Sequence, residues 1–384
     1  MRAFSDSCAE PLKHTDGLQY ISVRVLLVSL YSLSDIGGGE RYTLNTIRAI
    51  QAGGDHCTAY AIVSPFPRPP YQGRLATKFV RVVPEEPAKF EEVVTLGYLL
   101  TEIARYDAVV IHQYLGSDII FELIANCASD QVVIFTNLGY EPLLEDFETC
   151  FQPSRQCWFI ETSDFSARRS SRFSKQARSI SGALWRAEIR PFQPPRDGNG
   201  FGGRLCSVGR ILAHKGIEVT IAGIPKDCEL VVVGPQYDKA YWRFIQSRRG
   251  GKKITFAGAA SETRKREIVT EADALIASSH HRLYNGQVVE QAELLGLVIF
   301  EALALNTLPI TSNIAPFREV MSKLDLADLL YEASDAESLR QRIEYFRSLP
   351  SVQLAARLEH ARQEMIKLYL WDDYWARVKT AIGL

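Results

Sequence analysis

The sequence predicts an α/β protein made of two successive doubly wound, Rossmann-like domains, and three observations carry that expectation. Short, nearly continuous apolar runs alternate with helix-like segments from about residue 22. A breaker-rich connector interrupts them around 182–203, with Gly182, Pro191, Pro194, Pro195, Gly198, Gly200, Gly202 and Gly203. The alternation then begins again. Apolar strands separated by helices indicate a parallel sheet covered on both faces. Two such sheets leave a cleft between them as the expected ligand site.

The elements follow in order. Residues 1–21 are polar, with Asp6, Glu10, Lys13, His14 and Asp16 interrupting any apolar core, so they read as a loose extension and do not resemble a signal peptide. Val23–Leu30 reads as a buried strand, followed by a glycine-rich loop at 37–39 and an amphipathic stretch, Arg41–Gln51. Tyr60–Val63, Ala108–His112, Val132–Thr136 and Trp158–Thr162 complete the strands of a first domain at 22–188. A linker is expected at 189–203. A second domain at 204–365 holds strands at Leu205–Val208, Leu230–Val233, Ile254–Phe256, Ala274–Ala277, Leu308–Thr311 and Leu329–Tyr331. In the tail, 366–384, Trp371, Tyr374, Trp375 and Val378 fall at i, i+3, i+4 and i+7, one apolar face of a helix.

The bulk properties exclude several function classes. Lys+Arg total 44 against 45 Asp+Glu, a balance that gives no reason to expect nucleic acid as a partner. The 46 % hydrophobic content is ordinary for a globular chain that buries sizeable cores. Seven cysteines, odd in number and without a Cys-x-x-Cys pair, suit scattered thiols in a reducing cytosol. No run reaches the length of a membrane-spanning helix, and the expectation is a cytoplasmic protein.

The most informative run is Glu293-Leu-Leu-Gly-Leu-Val-Ile-Phe-Glu301. If a helix starts at Gly296, Glu301 lies in its second turn and Glu293 on the loop leading in. Backbone N–H groups around Gly296, Leu297 and Val298 would then face the same cleft as both acids, and helix N-termini bind phosphate. Carboxylates accept hydrogen bonds from sugar hydroxyls. The plainer reading is two acids on a solvated helix face. The apolar residues between them argue for a buried helix whose terminal acids need partners.

Two glycine loops precede this run. Gly37-Gly-Gly-Glu-Arg41 follows the first strand, where Gly37 and Gly38 would let backbone approach a phosphate; a plain tight turn is the alternative. Val208-Gly-Arg-Ile-Leu-Ala-His-Lys-Gly216 follows the first strand of the second domain. Arg210 and Lys215, bracketed by Gly209 and Gly216, could neutralise a diphosphate there or be two solvated surface cations. Neither loop is a G-x-G-x-x-G dinucleotide fingerprint.

Taken together, Gly-Arg-x4-Lys-Gly at 209–216 and Glu-x7-Glu at 293–301, about eighty residues later, resemble the retaining glycosyltransferases of the GT-B fold, specifically family 4 (glycosyltransferase group 1). The 37–41 turn is similar to that family's Gly-Gly-Ala-Glu-Arg turn, and Glu319-Val320 and Trp371 are further echoes. The resemblance implies a hexosyltransferase with two domains facing a central cleft and a C-terminal helix crossing back to the first domain. It implies that Arg210 and Lys215 hold the donor diphosphate, assisted by amides at Gly296–Val298. Glu301 would take the ribose hydroxyls and Glu293 those of the transferred sugar. No metal or other cofactor is expected. The partners implied are a UDP- or GDP-sugar donor and a glycan or lipid-linked acceptor, as in bacterial surface-polysaccharide assembly.

Three features depart from the family pattern or extend it. Many members carry a histidine in a Thr-x-His-Gly turn, where this chain has Thr136-Asn-Leu-Gly139. Leu138 cannot hydrogen-bond, so Asn137, Tyr140 or His112 are the acceptor-side candidates; a structural role for His112 is the alternative. An insertion, 280–292, would stand beside the donor sugar as a lid or selector, or be a plain surface loop. His280 and His281 within it are adjacent and lack a supporting cluster, so no metal site is expected. Finally, Arg168, Arg169, Arg172, Lys175, Arg178, Arg186 and Arg190 crowd 168–190. A solvated helix face is the favoured reading, and peripheral contact with the inner membrane face the other. The rival functions are a GT-B phosphorylase or sugar-phosphate synthase, and a degenerate transferase serving as a partner protein. A Rossmann dehydrogenase is a distant third, since neither domain carries the fingerprint.

Overall fold

A computed structural model describes residues 22–33, 37–63, 76–85, 92–113, 119–139, 156–172, 175–194 and 201–384. The expected N-terminal extension and Tyr140 lie outside these residues. The first sheet is built around β1 (Arg24–Ser29), whose residues after Arg24 are all buried. Joined to it are β2 (His56–Ile62), β3 (Lys78–Arg81), β4 (Val93–Thr95), β5 (Ala108–Gln113), β6 (Val132–Asn137), β7 (Gln156–Glu161) and β8 (Ala177–Ser179). The order is β4-β3-β2-β1-β5-β6-β7-β8. Its helices are α1 (Gly38–Ala52), α2 (Leu96–Glu102), α3 (Ile119–Asn126) and α4 (Asp164–Ser170).

Two expectations are corrected here. The first sheet is mixed, because β3 pairs antiparallel with both β2 and β4. Lys78-Phe-Val-Arg81 buries two residues between exposed charges, and β4 buries one. Strands so short and polar-ended suit an edge and give no apolar run to read. The basic stretch 168–190 is not one helix face either. Arg168 and Arg169 lie on α4, Arg178 on β8, and Arg190 is tied to the second domain through its backbone N–H to the Ala304 carbonyl, 3.0 Å.

The second sheet holds β9 (Arg204–Val208), β10 (Glu229–Val233), β11 (Lys253–Gly258), β12 (Ala274–Ala277), β13 (Leu308–Ser312) and β14 (Leu330–Tyr331). All pairs are parallel, in the order β11-β10-β9-β12-β13-β14. The chain winds outward one way from β9 and the other way from β12. The crevice between these neighbours is therefore the topological switch point, where ligands bind in open α/β sheets. The helices are α5 (Ile217–Gly223), α6 (Lys239–Ser247), α7 (Glu262–Glu271), α8 (Leu297–Ala304), α9 (Ala315–Lys323), α10 (Ala336–Ser348) and α11 (Ser351–Leu368). No helix among the described residues is long and apolar enough to cross a membrane.

The tail returns to the first domain. Leu370 bridges Leu184 of the connector, and α12 (Tyr374–Ile382) follows. Trp371, Tyr374, Trp375 and Val378 are buried in one cluster with Val25, Leu27 and Ile47. Gly182 is needed for that approach, since a Cβ there would stand 2.3 Å from the Trp371 ring. At the far end of the seam Asp55 accepts from Trp375 Nε1 at 2.6 Å, Lys379 Nζ at 2.7 Å and Val23 N at 2.9 Å. Breaking a buried ion pair by deleting one member is strongly destabilising. Asp55→Ala is expected to cost roughly 3 kcal/mol, read as a lower denaturant midpoint for the first domain. An unchanged midpoint would show that the tail docks without this carboxylate.

Candidate active site

The loop after β9 contains Gly209 and Gly216, both at positive φ (152° and 61°). A Cβ on Gly216 would stand 2.1 Å from the Ser278 carbonyl oxygen, so the loop lies flush against the end of β12. Arg210 is exposed on this loop. Behind it sits a buried polar network. Tyr241 Oη donates to Glu218 and accepts from Ile217 N at 2.9 Å. His280 Nε2 is 3.3 Å from Glu218 and 3.2 Å from the Ala213 carbonyl, and its Nδ1 is 2.7 Å from Ser334 Oγ. Every member has a partner, and such a network rigidifies the loop it supports.

The loop after β12 brings in Glu293, whose side chain is 15 % exposed. Lys215 Nζ donates to Glu293 Oε1, and Ser279 Oγ donates to the same oxygen at 2.6 Å. Burial alone would raise the Glu293 pKa, but the Lys215 ammonium and the Ser279 hydroxyl together hold it below the usual carboxylate range. Burial and the same ammonium push the His214 imidazole down to about 4. Helix α8 then starts as expected, with Gly296 at φ 92° as its N-cap. A Cβ there would stand 2.5 Å from the Phe317 ring. The N–H groups of Leu297 and Val298 occupy the first turn, where helices have no internal acceptors.

Glu301, in the second turn of α8, is met from two sides. Arg41 Nη1 of the first domain and Lys265 Nζ of α7 both lie 3.1 Å from its Oε1. Glu262 joins them, pairing with Arg41 and, at 2.9 Å, with Lys265. Burial would lower the Arg41 pKa, but the Glu301 and Glu262 carboxylates raise it above its ordinary value. This cross-cleft pair joins residues 260 positions apart.

The first domain presents two turns to this edge. Gly37 N donates to Glu40 Oε2 at 3.0 Å, fixing the start of α1. A Cβ on Gly38 would touch Leu297, and one on Gly39 would touch Leu138. Leu138 itself is buried at the end of β6. Asn137 accepts from Gly139 N at 3.1 Å, shaping that turn, and is 5 % exposed. His112 corrects an expectation. It is fully buried, its Nδ1 lies 2.8 Å from Thr43 Oγ1, and burial lowers its pKa to about 3. Thr43 in turn meets Tyr31 Oη, which donates to the Gly39 carbonyl at 2.7 Å. An enclosed imidazole is out of reach of an acceptor, and its contacts run through Thr43 and Tyr31 to the Gly39 carbonyl.

Residues 201–365 match the family model described as Glycosyl transferases group 1. The fold is GT-B, and residues 201–365 are similar to the group 1 glycosyltransferase domain. A glycosyltransferase from Rickettsia africae ESF-5 superposes with a TM-score of 0.70 at 14 % identity, covering 95 % of this chain and 99 % of that one. AviGT4, involved in avilamycin A biosynthesis, superposes at 0.59 with 16 % identity over 94 % and 97 % of the two chains. WaaG, involved in lipopolysaccharide biosynthesis, does so at 0.59 with 14 % identity over 93 % and 99 %. No curated protein matches the chain by sequence.

The GT-B edge thus gathers Arg210, Lys215, Glu293, Gly296–Val298 and Glu301 beside Gly37 and Gly38. Sequence reasoning missed Lys265, Ser279 and the role of Arg41. Lys265 lies in a highly charged helix with nothing to mark it, whereas Arg41 stood inside the glycine turn with no visible partner. Lys215 carries a pH-dependent prediction. A carboxylate with a depressed folded pKa contributes stability above its unfolded pKa, about 4.3, which is lost as pH falls through the folded value. Lys215→Met leaves the Glu293 carboxylate buried without its cation and raises its pKa. The variant should melt well below wild type at pH 7, with the gap closing as pH falls through the variant's raised Glu293 pKa toward the lowered wild-type value. A gap independent of pH would mean that the pair does not set the Glu293 charge.

Proposed function

We propose that this protein is a retaining hexosyltransferase that moves a sugar from a nucleoside-diphosphate donor, UDP- or GDP-linked, to a glycan or lipid-linked acceptor. One observation carries the reading. Two cations, two acids and a helix N-terminus meet at the switch point between β9 and β12, facing the glycine turn of the first domain. A diphosphate flanked by ribose and sugar hydroxyls is complementary to that set. Lys215 has three N–H donors and uses one on Glu293, so the ammonium can serve a phosphate and the acid together. Arg210 offers the bidentate fork.

In the proposed reaction the bond between the anomeric carbon and the diphosphate oxygen breaks, and the diphosphate leaves with the electron pair. The acceptor hydroxyl oxygen bonds to the same face of the carbon, and its proton passes to the departing phosphate oxygen. No protein base is required, which accords with Leu138 in the 137–139 turn. Charge developing on the leaving group is met by Arg210, Lys215 and the α8 dipole, preorganised before reaction. That supports a reaction without a metal. Glu301 would take the ribose and Glu293 the transferred sugar. Bacterial surface-polysaccharide assembly is the proposed setting, in line with the lipopolysaccharide role of WaaG, and peripheral contact with the inner membrane face accords with the cations of 168–190.

Glu301→Ala and Arg210→Ala should each weaken nucleoside-diphosphate binding by about tenfold to a hundredfold, the worth of one hydrogen bond to a charged group. Calorimetry measures this, and unchanged affinity in both variants would sink the assignment. Glu293→Ala should instead reduce turnover more than affinity for free nucleotide. The reverse pattern would remove it from the sugar.

A further inference from the structure

The insertion 280–292 is a short hairpin whose return arm reaches across the cleft. Arg282 bridges Val288 antiparallel, with Leu283 N donating to the Gln287 carbonyl at 2.7 Å and Val289 N to that of His281 at 2.8 Å. The arm ends in Glu290-Gln291-Ala292-Glu293, where Ala292 is buried and Glu293 is fixed by Lys215 and Ser279. Gln291 is therefore anchored two residues from the acid assigned to the donor sugar. Its side chain belongs to the other domain. With its amide oriented to satisfy both neighbours, Nε2 donates to the Gly139 carbonyl at 3.0 Å and Oε1 accepts from Arg169 Nη1 at 3.3 Å. The Glu290 carboxylate lies 3.7 Å from Arg169 Nη2. Gly139 closes the turn that Asn137 shapes from within and whose Leu138 packs beside Gly39.

We propose that Gln291 is a positioning residue, clasping the Leu138–Gly139 turn over the reacting face of the donor sugar so that an acceptor hydroxyl and not water attacks it. The inference rests on the transferase reading and deepens it. A donor whose leaving diphosphate is stabilised is open to water as well. The water oxygen then bonds to the anomeric carbon, the diphosphate leaves with the electron pair and takes the water proton, and free sugar and nucleotide result. Closing a site suppresses that side reaction. A neutral amide–carbonyl hydrogen bond contributes only about 1 kcal/mol net. It holds a turn shut between encounters, yet an acceptor can open it. Gln291 bonds only Gly139 and Arg169, neither of which is assigned to the nucleotide, so nucleotide affinity should not depend on it.

The test uses the full chain as wild type, Gln291→Ala and Gln291→Glu. Acceptor-free hydrolysis of UDP-glucose and GDP-mannose is measured beside calorimetric affinity for UDP and GDP. The glutamate keeps an acceptor for Arg169 but loses the donor to Gly139. Both variants should hydrolyse the donor that wild type accepts about fivefold faster, the rate equivalent of one neutral hydrogen bond, with nucleotide affinity unchanged. A variant hydrolysis rate equal to wild type overturns the clasp, and so does a rate that changes only in step with nucleotide affinity. A Gln291→Glu rate like wild type beside a raised Gln291→Ala rate overturns the Gly139 bond. Wild type that binds neither nucleotide and hydrolyses neither sugar overturns the transferase reading, and this inference with it.

Discussion

Glu293 and Glu301 stand at either end of a helix entrance whose intervening residues are apolar, and both are largely withdrawn from water. An ionised carboxylate in such a place needs a cation and further hydrogen bonds, or it protonates. The chain meets that requirement from different elements. Lys215 comes from the loop after β9 to Glu293, Lys265 from α7 to Glu301, and Arg41 from the other domain to Glu301. The need to compensate two acids thus fixes the 209–216 loop, α7 and the glycine turn around one cleft edge. One of these cations, Lys215, is also a charge proposed to meet the diphosphate.

The domains meet there through polar contacts, while the tail binds them through an apolar one. Besides the Arg41 pair, Glu319 of α9 accepts from Asp164 N and Phe165 N at 2.8 and 2.9 Å, capping α4 of the first domain, and Lys323 reaches Asp164 at 2.8 Å. Contacts of this kind are directional and individually modest, so they specify an alignment without welding it. The Trp371–Trp375 seam buries large aromatic surface and keeps the returning helix on α1. The aligned cleft and the docked tail therefore rest on different physics.

Much of this architecture was legible in the sequence because strands buried on both faces are written as apolar runs. Val23–Leu30, Ala108–His112 and Val132–Thr136 each stand at a strand of the first sheet. Strands β3 and β4 escaped because Lys78–Arg81 and Val93–Thr95 bury too little to make a pattern. The 209–216 loop and the helix entrance were legible as local motifs, with Gly209, Gly216 and Gly296 at positive φ. The partners of Glu301 were not. Pairing across 260 positions depends on how two domains face each other, and no periodicity records that. His112 was open to two readings, an acceptor-side or a structural role. Its partner Thr43 lies 69 positions away on α1, and no local pattern records that contact.

The central claim is that the cleft between β9 and β12 holds a nucleoside-diphosphate sugar. A thermal-shift titration of the full chain against UDP, GDP, ADP and their sugars tests it most directly, since a ligand bound by the folded state raises apparent stability by mass action. The account predicts a saturable rise for the diphosphates of one base and a further rise when the sugar is attached. No rise with any of them, beside one with a nicotinamide dinucleotide, would contradict it.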